Sequence, residues 1–210
     1  MIVRTKNYKI LPFLVILILV SSCVGGKYVY EFDTGKNLDF SNGKWIFNNV
    51  QSNSESKDNK RLYTESYEEF EKILGDSLID LTILRNKSLV KPDIKFEPTR
   101  SELKDLYEYS KCDFLINVRG QIISNNASSF YSNDQRLSYS TSNRSAVFIK
   151  IYDLKSGILI SSSNGQAISA EEHSDLENDG ALNWTTKAEP MMIRAAEGLI
   201  LKYNKHRTDK

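Results

Sequence analysis

The spacing of apolar residues changes along this chain, and each change marks an element. The chain opens with a block rather than a period. Ile10 to Val20 is an apolar run of eleven residues interrupted only by Pro12. A membrane-spanning helix needs about 20 apolar residues. Eleven suits the core of an export signal, and Arg4, Lys6 and Lys9 ahead of it supply the positive leader. Beyond it, Tyr28 to Phe32 alternates aromatic and other residues, which suits a short strand. Gly43 to Val50, with Trp45, Ile46, Phe47 and Val50, has strand composition. Gln51 to Arg61 is polar and without period, so it reads as loop.

Helical spacing follows. Ser66 and Glu69 have the spacing of a capping box. Tyr67, Phe70, Ile73, Leu74 and Leu78 then make one apolar face, weakened by Gly75. Asp80 to Arg85 fits either a second strand or a continuing helix. Thr99 and Glu102 form another capping box behind Pro98, with Leu103, Leu106 and Tyr107 on one face. Cys112 to Ser124 is apolar enough for a strand buried on one or both faces. Ala146 to Tyr152, a turn over Asp153 to Gly157, and a run from Ile158 read as a hairpin. Between Ser124 and Ser145 a Ser/Asn/Tyr-rich stretch either extends that hairpin, with Ser132 to Arg136 as its tip, or loops freely. Thr186 and Glu189 repeat the capping-box spacing ahead of a helix whose face is Met192, Ala195, Ala196, Leu199 and Tyr203. Pro190 is tolerable in a first turn, and residues 205–210 are expected to fray.

The order is strand, helix, strand, helix, three strands, helix. It predicts an α/β (α+β) fold: a mixed sheet with about three packed helices, a sandwich rather than a barrel. The strands from Cys112 onward should form an antiparallel meander. The expected organisation is a leader over 1–22, a short tether or strand over 23–42, one domain over 43–204, and a tail over 205–210.

The apolar block ends in Val20-Ser21-Ser22-Cys23, which resembles the bacterial lipoprotein box. The resemblance implies diacylglyceryl transfer to the Cys23 thiol, cleavage before it, and acylation of the new amine. A plain secretory signal and an uncleaved anchor are the alternatives. A single acyl chain binds a bilayer marginally, at about 0.8 kcal/mol per buried CH2; two or three chains hold effectively permanently. Val24, where an acid would stand in a retention signal, resembles the pattern sorted to the outer membrane.

The leader changes the charge and the cysteine arithmetic. Taking residues 1–22 from the 210 leaves 188, enough for one domain with a real core. Taking three cations from 28 Lys and Arg leaves 25 against 27 Asp and Glu, a balance of −2. No basic surplus argues for nucleic acid or an anionic membrane surface. With Cys23 acylated, Cys112 is the single thiol left, so no internal disulfide forms. It reads as a small buried core residue.

Two stretches carry a family likeness: Pro98 to Ile122, a capped helix running through Cys112-Asp113-Phe114 into a strand, and Val147 to Ser163, a strand ending in Tyr-Asp, a Gly-closed turn, and a returning strand. Both resemble the periplasmic α/β domain shared by the curli-secretion lipoprotein, the Lpo-type activators of penicillin-binding proteins, and the amino-terminal domain of TolB. The likeness implies a non-enzymatic adaptor or assembly part at the bacterial envelope. Two departures narrow it. Ser124 to Arg144 is too polar for the membrane-crossing hairpins of the curli channel. The tether after Cys23 is far shorter than that of the Lpo-type activators.

Reactive chemistry is thinly represented. The chain has no G-x-S-x-G, H-E-x-x-H, P-loop or G-x-G-x-x-G pattern. His173 and His206 are its two histidines, so a hydrolase, as the second alternative, would have to use His173. Asp175, Glu177 and Asp179 with Gly180 approach the opening of a calcium loop. Alternating oxygen ligands followed by a Gly turn suit that ion, but Thr186 stands where the bidentate acid belongs. These residues define an alternative as a small-ligand or calcium-binding module. No cofactor is expected. The leading expectation is an envelope lipoprotein, held to the membrane through Cys23, that binds another envelope protein without catalysis. Phe130, Tyr131 and Tyr139 mark the stretch expected to face that partner. Nothing in the pattern sets an oligomeric state.

Overall fold

The computed structural model describes residues 26–87, 94–125, 140–172 and 186–209. Seven strands form one mixed sheet: β1 (Lys27–Glu31), β2 (Trp45–Phe47), β3 (Gln51–Ser52), β4 (Leu78–Asp80), β5 (Phe114–Ser124), β6 (Ser140–Asp153) and β7 (Ile158–Glu172). Among the described residues four α-helices accompany them: α1 (Ser56–Leu74), α2 (Leu81–Lys87), α3 (Arg100–Ser110) and α4 (Ala188–His206). The strand order is β1-β7-β6-β5-β2-β4, with β3 also on β5. β2 runs parallel to β4 and β5, whereas β5, β6, β7 and β1 are successively antiparallel. The expected mixed sheet and its antiparallel meander are therefore both present, and the sheet does not close into a barrel.

Alternation along the strands sorts two cores. Trp45 and Phe47 of β2 enter the larger one and Ile46 enters the other, so this three-residue strand is buried on both faces. Helices α1 and α4 cover the first face with Leu62, Phe70, Ile73, Met192, Ala195, Ala196, Leu199 and Tyr203. On the second face, Leu81 of α2 and Leu103 and Leu106 of α3 pack over Ile46, Leu115, Tyr152 and Leu154. Helix α2 is the element beyond the three helices expected. Asp80 to Arg85 resolves into the last residue of β4 followed by α2.

Several boundaries move for identifiable reasons. Helix α1 starts at Ser56, inside the expected loop, and Ser66 is a buried mid-helix residue rather than a cap. The first turns of α1 face solvent and carry Lys57, Asp58, Lys60 and Arg61, so they leave no apolar period to read. Arg61 pairs with Glu65 one turn on, at 3.6 Å. The Thr99 box forms as expected: the Thr99 hydroxyl accepts from the Glu102 amide, and the Glu102 carboxylate accepts from the Thr99 amide at 2.8 Å. The Thr186 box does not: Lys187 takes the cap position of α4 without a side-chain cap bond, and Glu189 accepts instead from Asn125 Nδ2.

Both ends of the expected domain are also revised. Phe32 and Phe40 belong to the larger core and β1 edges the sheet, so the domain starts upstream of Gly43. The tail is tied rather than frayed through Asp209. The Thr208 amide donates to Leu38 O at 3.0 Å, and Arg207 reaches Ile73 O at 3.2 Å while pairing with Asp209 at 2.7 Å. β6 and β7 pair along the hairpin from Asp153 and Ile158 out to Ser140 and Glu172. Residues 126–139, including the tip at 132–136, lie outside the described residues.

Candidate functional site

Most chemistry singled out in the sequence lies outside the described residues: Cys23, His173, Asp175, Glu177 and Asp179, and with them Phe130, Tyr131 and Tyr139. Among the described residues, no group of three or more His, Cys, Asp and Glu could hold a metal ion. No described helix is long and apolar enough to cross a membrane. Cys112 is only 1% exposed, packed in the smaller core, and burial pushes its thiol up, as suits a structural residue. His206 closes α4 with its ring 5.8 Å from Phe32. Trp45 is fully buried, stacked between Phe40 and Phe114 at 4.9 and 4.2 Å.

What the fold does assemble is a surface. The smaller core covers only part of the second face. Its edge is built by the segment entering α3, pinned by two buried amides. Asn117 Nδ2 donates to Lys95 O at 3.1 Å and to Phe96 O at 2.8 Å, while Asn48 Nδ2 donates to Asn117 Oδ1 at 2.9 Å and to Ile94 O at 3.0 Å. Buried amides so satisfied fix one position for the backbone they hold. The Tyr152 hydroxyl, pushed up to about 12 by burial, donates to Phe96 O at 3.2 Å. Phe96 then carries two cations: the Arg119 guanidinium at 4.1 Å and the Lys150 ammonium at 5.5 Å. Lys150 also pairs with Glu97, holding that carboxyl below its ordinary range.

Beyond Phe96, no described helix lies on this face of β5, β6, β7 and β1. Register sets its side chains in rows. One row is Glu31, Asn164, Phe148 and Arg119; the next is Val29, Gln166, Ala146 and Gln121; the last is Lys27, Ile168 and Arg144. Asn164 Nδ2 donates to Glu31 at 2.6 Å. Val29 is 48% and Ile123 55% exposed, with Gln121, Arg144 and Gln166 also open to solvent. The face is amphipathic, offering apolar and hydrogen-bonding groups with cations at both ends. It suits recognition of another macromolecule, and among the described residues it holds no nucleophile-and-base pair.

The sequence reading missed this surface because β7 gives almost no apolar alternation. Its helix-facing positions are Ser161, Ser163, Gly165, Ala167 and Ser169. They are small because α4 lies close. A side-chain carbon on Gly165 would stand 3.3 Å from Ala195 O, and Tyr203 OH bonds Ser161 at 2.8 Å and Ser163 at 3.0 Å. Burial pushes the Tyr203 phenol up. A usable signal existed in β1 and β6, where Val29, Ala146 and Phe148 fall in phase opposite to the core residues.

No protein-family model matches the chain, and no curated protein matches it either. Solved structures match in outline. The dodecameric PelC of Paraburkholderia phytofirmans is similar at 11% identity and TM-score 0.44, over 85% of this chain and 94% of that one. A putative neuraminyllactose-binding hemagglutinin homolog from Helicobacter pylori is similar at 11% identity and TM-score 0.42, over 81% and 88%. Lipoprotein GNA1162 from Neisseria meningitidis is similar at 13% identity and TM-score 0.34, over 76% and 99%. At these scores the likeness is one of outline, and it carries no function across.

Proposed function

We propose that this chain is a bacterial envelope lipoprotein, held to the outer membrane on its periplasmic side through Cys23, and a non-catalytic adaptor or assembly factor. Its partner is another envelope protein, bound on the face of β5, β6, β7 and β1 that no described helix covers. The anchor is supported by the leader, whose eleven apolar residues end in Val-Ser-Ser-Cys. One observation carries the binding role: a four-strand face, bordered by the pinned Phe96 segment, presents Val29, Gln121, Ile123, Arg144 and Gln166 to solvent. A rigid sheet of this kind holds such groups in fixed rows, which limits the entropy lost on binding.

Photo-crosslinking in intact cells tests the binding role. A photoreactive residue at Gln166 should trap an envelope protein, whereas one at the exposed Tyr109, on α3, should not. Equal capture at both positions, or none at Gln166, would refute it. For the anchor, Cys23→Ala should move the protein out of the detergent phase; retention there would exclude lipidation.

A further inference from the structure

β1 is the edge of the sheet. Its inner side pairs with β7 from Lys27 to Glu31, and among the described residues nothing pairs with its outer side. An edge strand with unmet amides and carbonyls is a template for another strand unless it is blocked. The sequence of β1 is Lys-Tyr-Val-Tyr-Glu, and it complements its own reverse. The geometry points to a second copy of this chain as the occupant of that edge: the two β1 strands pair antiparallel about a two-fold axis at Val29.

That register matches every position. Lys27 meets Glu31 of the second copy and Tyr28 meets Tyr30, each pair repeated by the symmetry, and Val29 meets Val29 once on the axis, as an isologous contact requires. Opposite charges directly across strands stabilise a pair, and like charges oppose it. A parallel in-register pairing would set Lys27 on Lys27 and Glu31 on Glu31. The antiparallel register centred on Val29 gives two Lys–Glu pairs instead. Paired residues share parity, so whichever amides of β1 point outward meet carbonyls of the same set, making about four to six main-chain hydrogen bonds. The side chains are placed for it. Lys27 makes no ion pair among the described residues, and Glu31 accepts from Asn164 through Oε2. Tyr30 is backed by Gly165 and Gly198 and lies under the Lys202 ammonium at 5.0 Å, so the edge is stiff before pairing. The outcome is one continuous sheet across two molecules. It uses the edge of β1, and it depends neither on the lipid anchor nor on the partner proposed for the open face.

The test uses the full-length chain in isolated membranes. Antiparallel partners stand about 4.5 or 5.5 Å apart at Cα, and both distances suit a disulfide. Val29→Cys, oxidised with copper phenanthroline, should give a covalent dimer of twice the mass of the membrane-bound monomer. Leu201→Cys, exposed on α4, should give no more than the unsubstituted protein. In the Val29→Cys background, Lys27→Glu or Glu31→Lys should each lower the dimer yield about fivefold or more. The double reversal should restore it. A Val29→Cys yield no higher than at Leu201→Cys, or a double reversal as poor as the single ones, would overturn the pairing. Restoration by the double reversal also separates lost pairing from lost folding.

Discussion

The two faces of the sheet are built from the same strands and follow different rules. On the α1/α4 side, packing is close enough that single atoms matter. Ser, Gly and Ala line β7 because α4 lies against them, and Tyr203 passes its hydroxyl between Ser161 and Ser163. On the other side, α2, α3 and the pinned segment before α3 cover the β4, β2 and β5 end. The β6, β7 and β1 end is left to Val29, Arg144, Phe148, Asn164 and Gln166. The first face holds most of the core, and the second leaves Val29, Arg144 and Gln166 open to solvent while burying Ala146. A surface that need not pack is where a protein can afford recognition.

Substitutions should separate the two faces by size of effect. The largest loss belongs to Trp45→Ala, which empties the stack between Phe40 and Phe114. We expect about 3–5 kcal/mol, read as a lower urea midpoint with unchanged slope. A loss below about 1 kcal/mol would mean that the larger core is not as close-packed as described. Tyr203→Phe is next. It keeps the ring and strands two buried serine hydroxyls, so a loss of about 1–3 kcal/mol is expected by the same measurement.

Asn117→Ala probes the border between the covered and open halves. It removes the donors to Lys95 O and Phe96 O, at about 1–3 kcal/mol. Amide exchange should quicken over residues 94–97 well before it does in α4; uniform quickening would mean that the border is not a separate unit. Glu197 on α4 gives a smaller, pH-dependent effect. Burial first, then the neighbouring Glu65 and Glu69, raise its carboxyl above the ordinary value of 4.5. A raised carboxyl binds more protons folded than unfolded, so stability falls as pH rises through that window. Glu197→Gln should therefore raise Tm slightly at pH 7, with the gain vanishing as pH falls below 4.5; a gain that persists in acid would contradict the assignment. The smallest effect belongs to the open face. Arg144→Ala and Gln166→Ala should each shift stability within about 0.5 kcal/mol while reducing capture of the envelope partner. A large destabilisation there would mean that the face is packed after all.

The elements that were legible in the sequence are those with a buried stripe and a marked end. Thr99 and Glu102 set the start of α3, and Leu103 and Leu106 gave its face. Asp153 to Gly157 marked the turn, where the Gly157 amide donates to Asp153 O at 2.9 Å and φ is +68°. Met192, Ala195, Ala196, Leu199 and Tyr203 gave the face of α4. The misreadings fell where local chemistry had no tertiary partner to show it. Polar turns at the start of α1 carry no period. Ser66 looks like a cap by spacing and sits instead against the core. The tail looks free but is held by Leu38 and Ile73, residues far away along the chain.

The sequence alone determined the buried stripes of α3 and α4, because there burial follows an apolar period and period is local. It also set the self-complementary order of β1. Only the tertiary structure decided which faces of the sheet are covered. Cover depends on where helices land after the chain has crossed the sheet, and that is set by strand order and close approach rather than by any one segment. The same strand order put β1 at the edge, where a five-residue sequence that would be unremarkable inside the sheet has an outer side to offer.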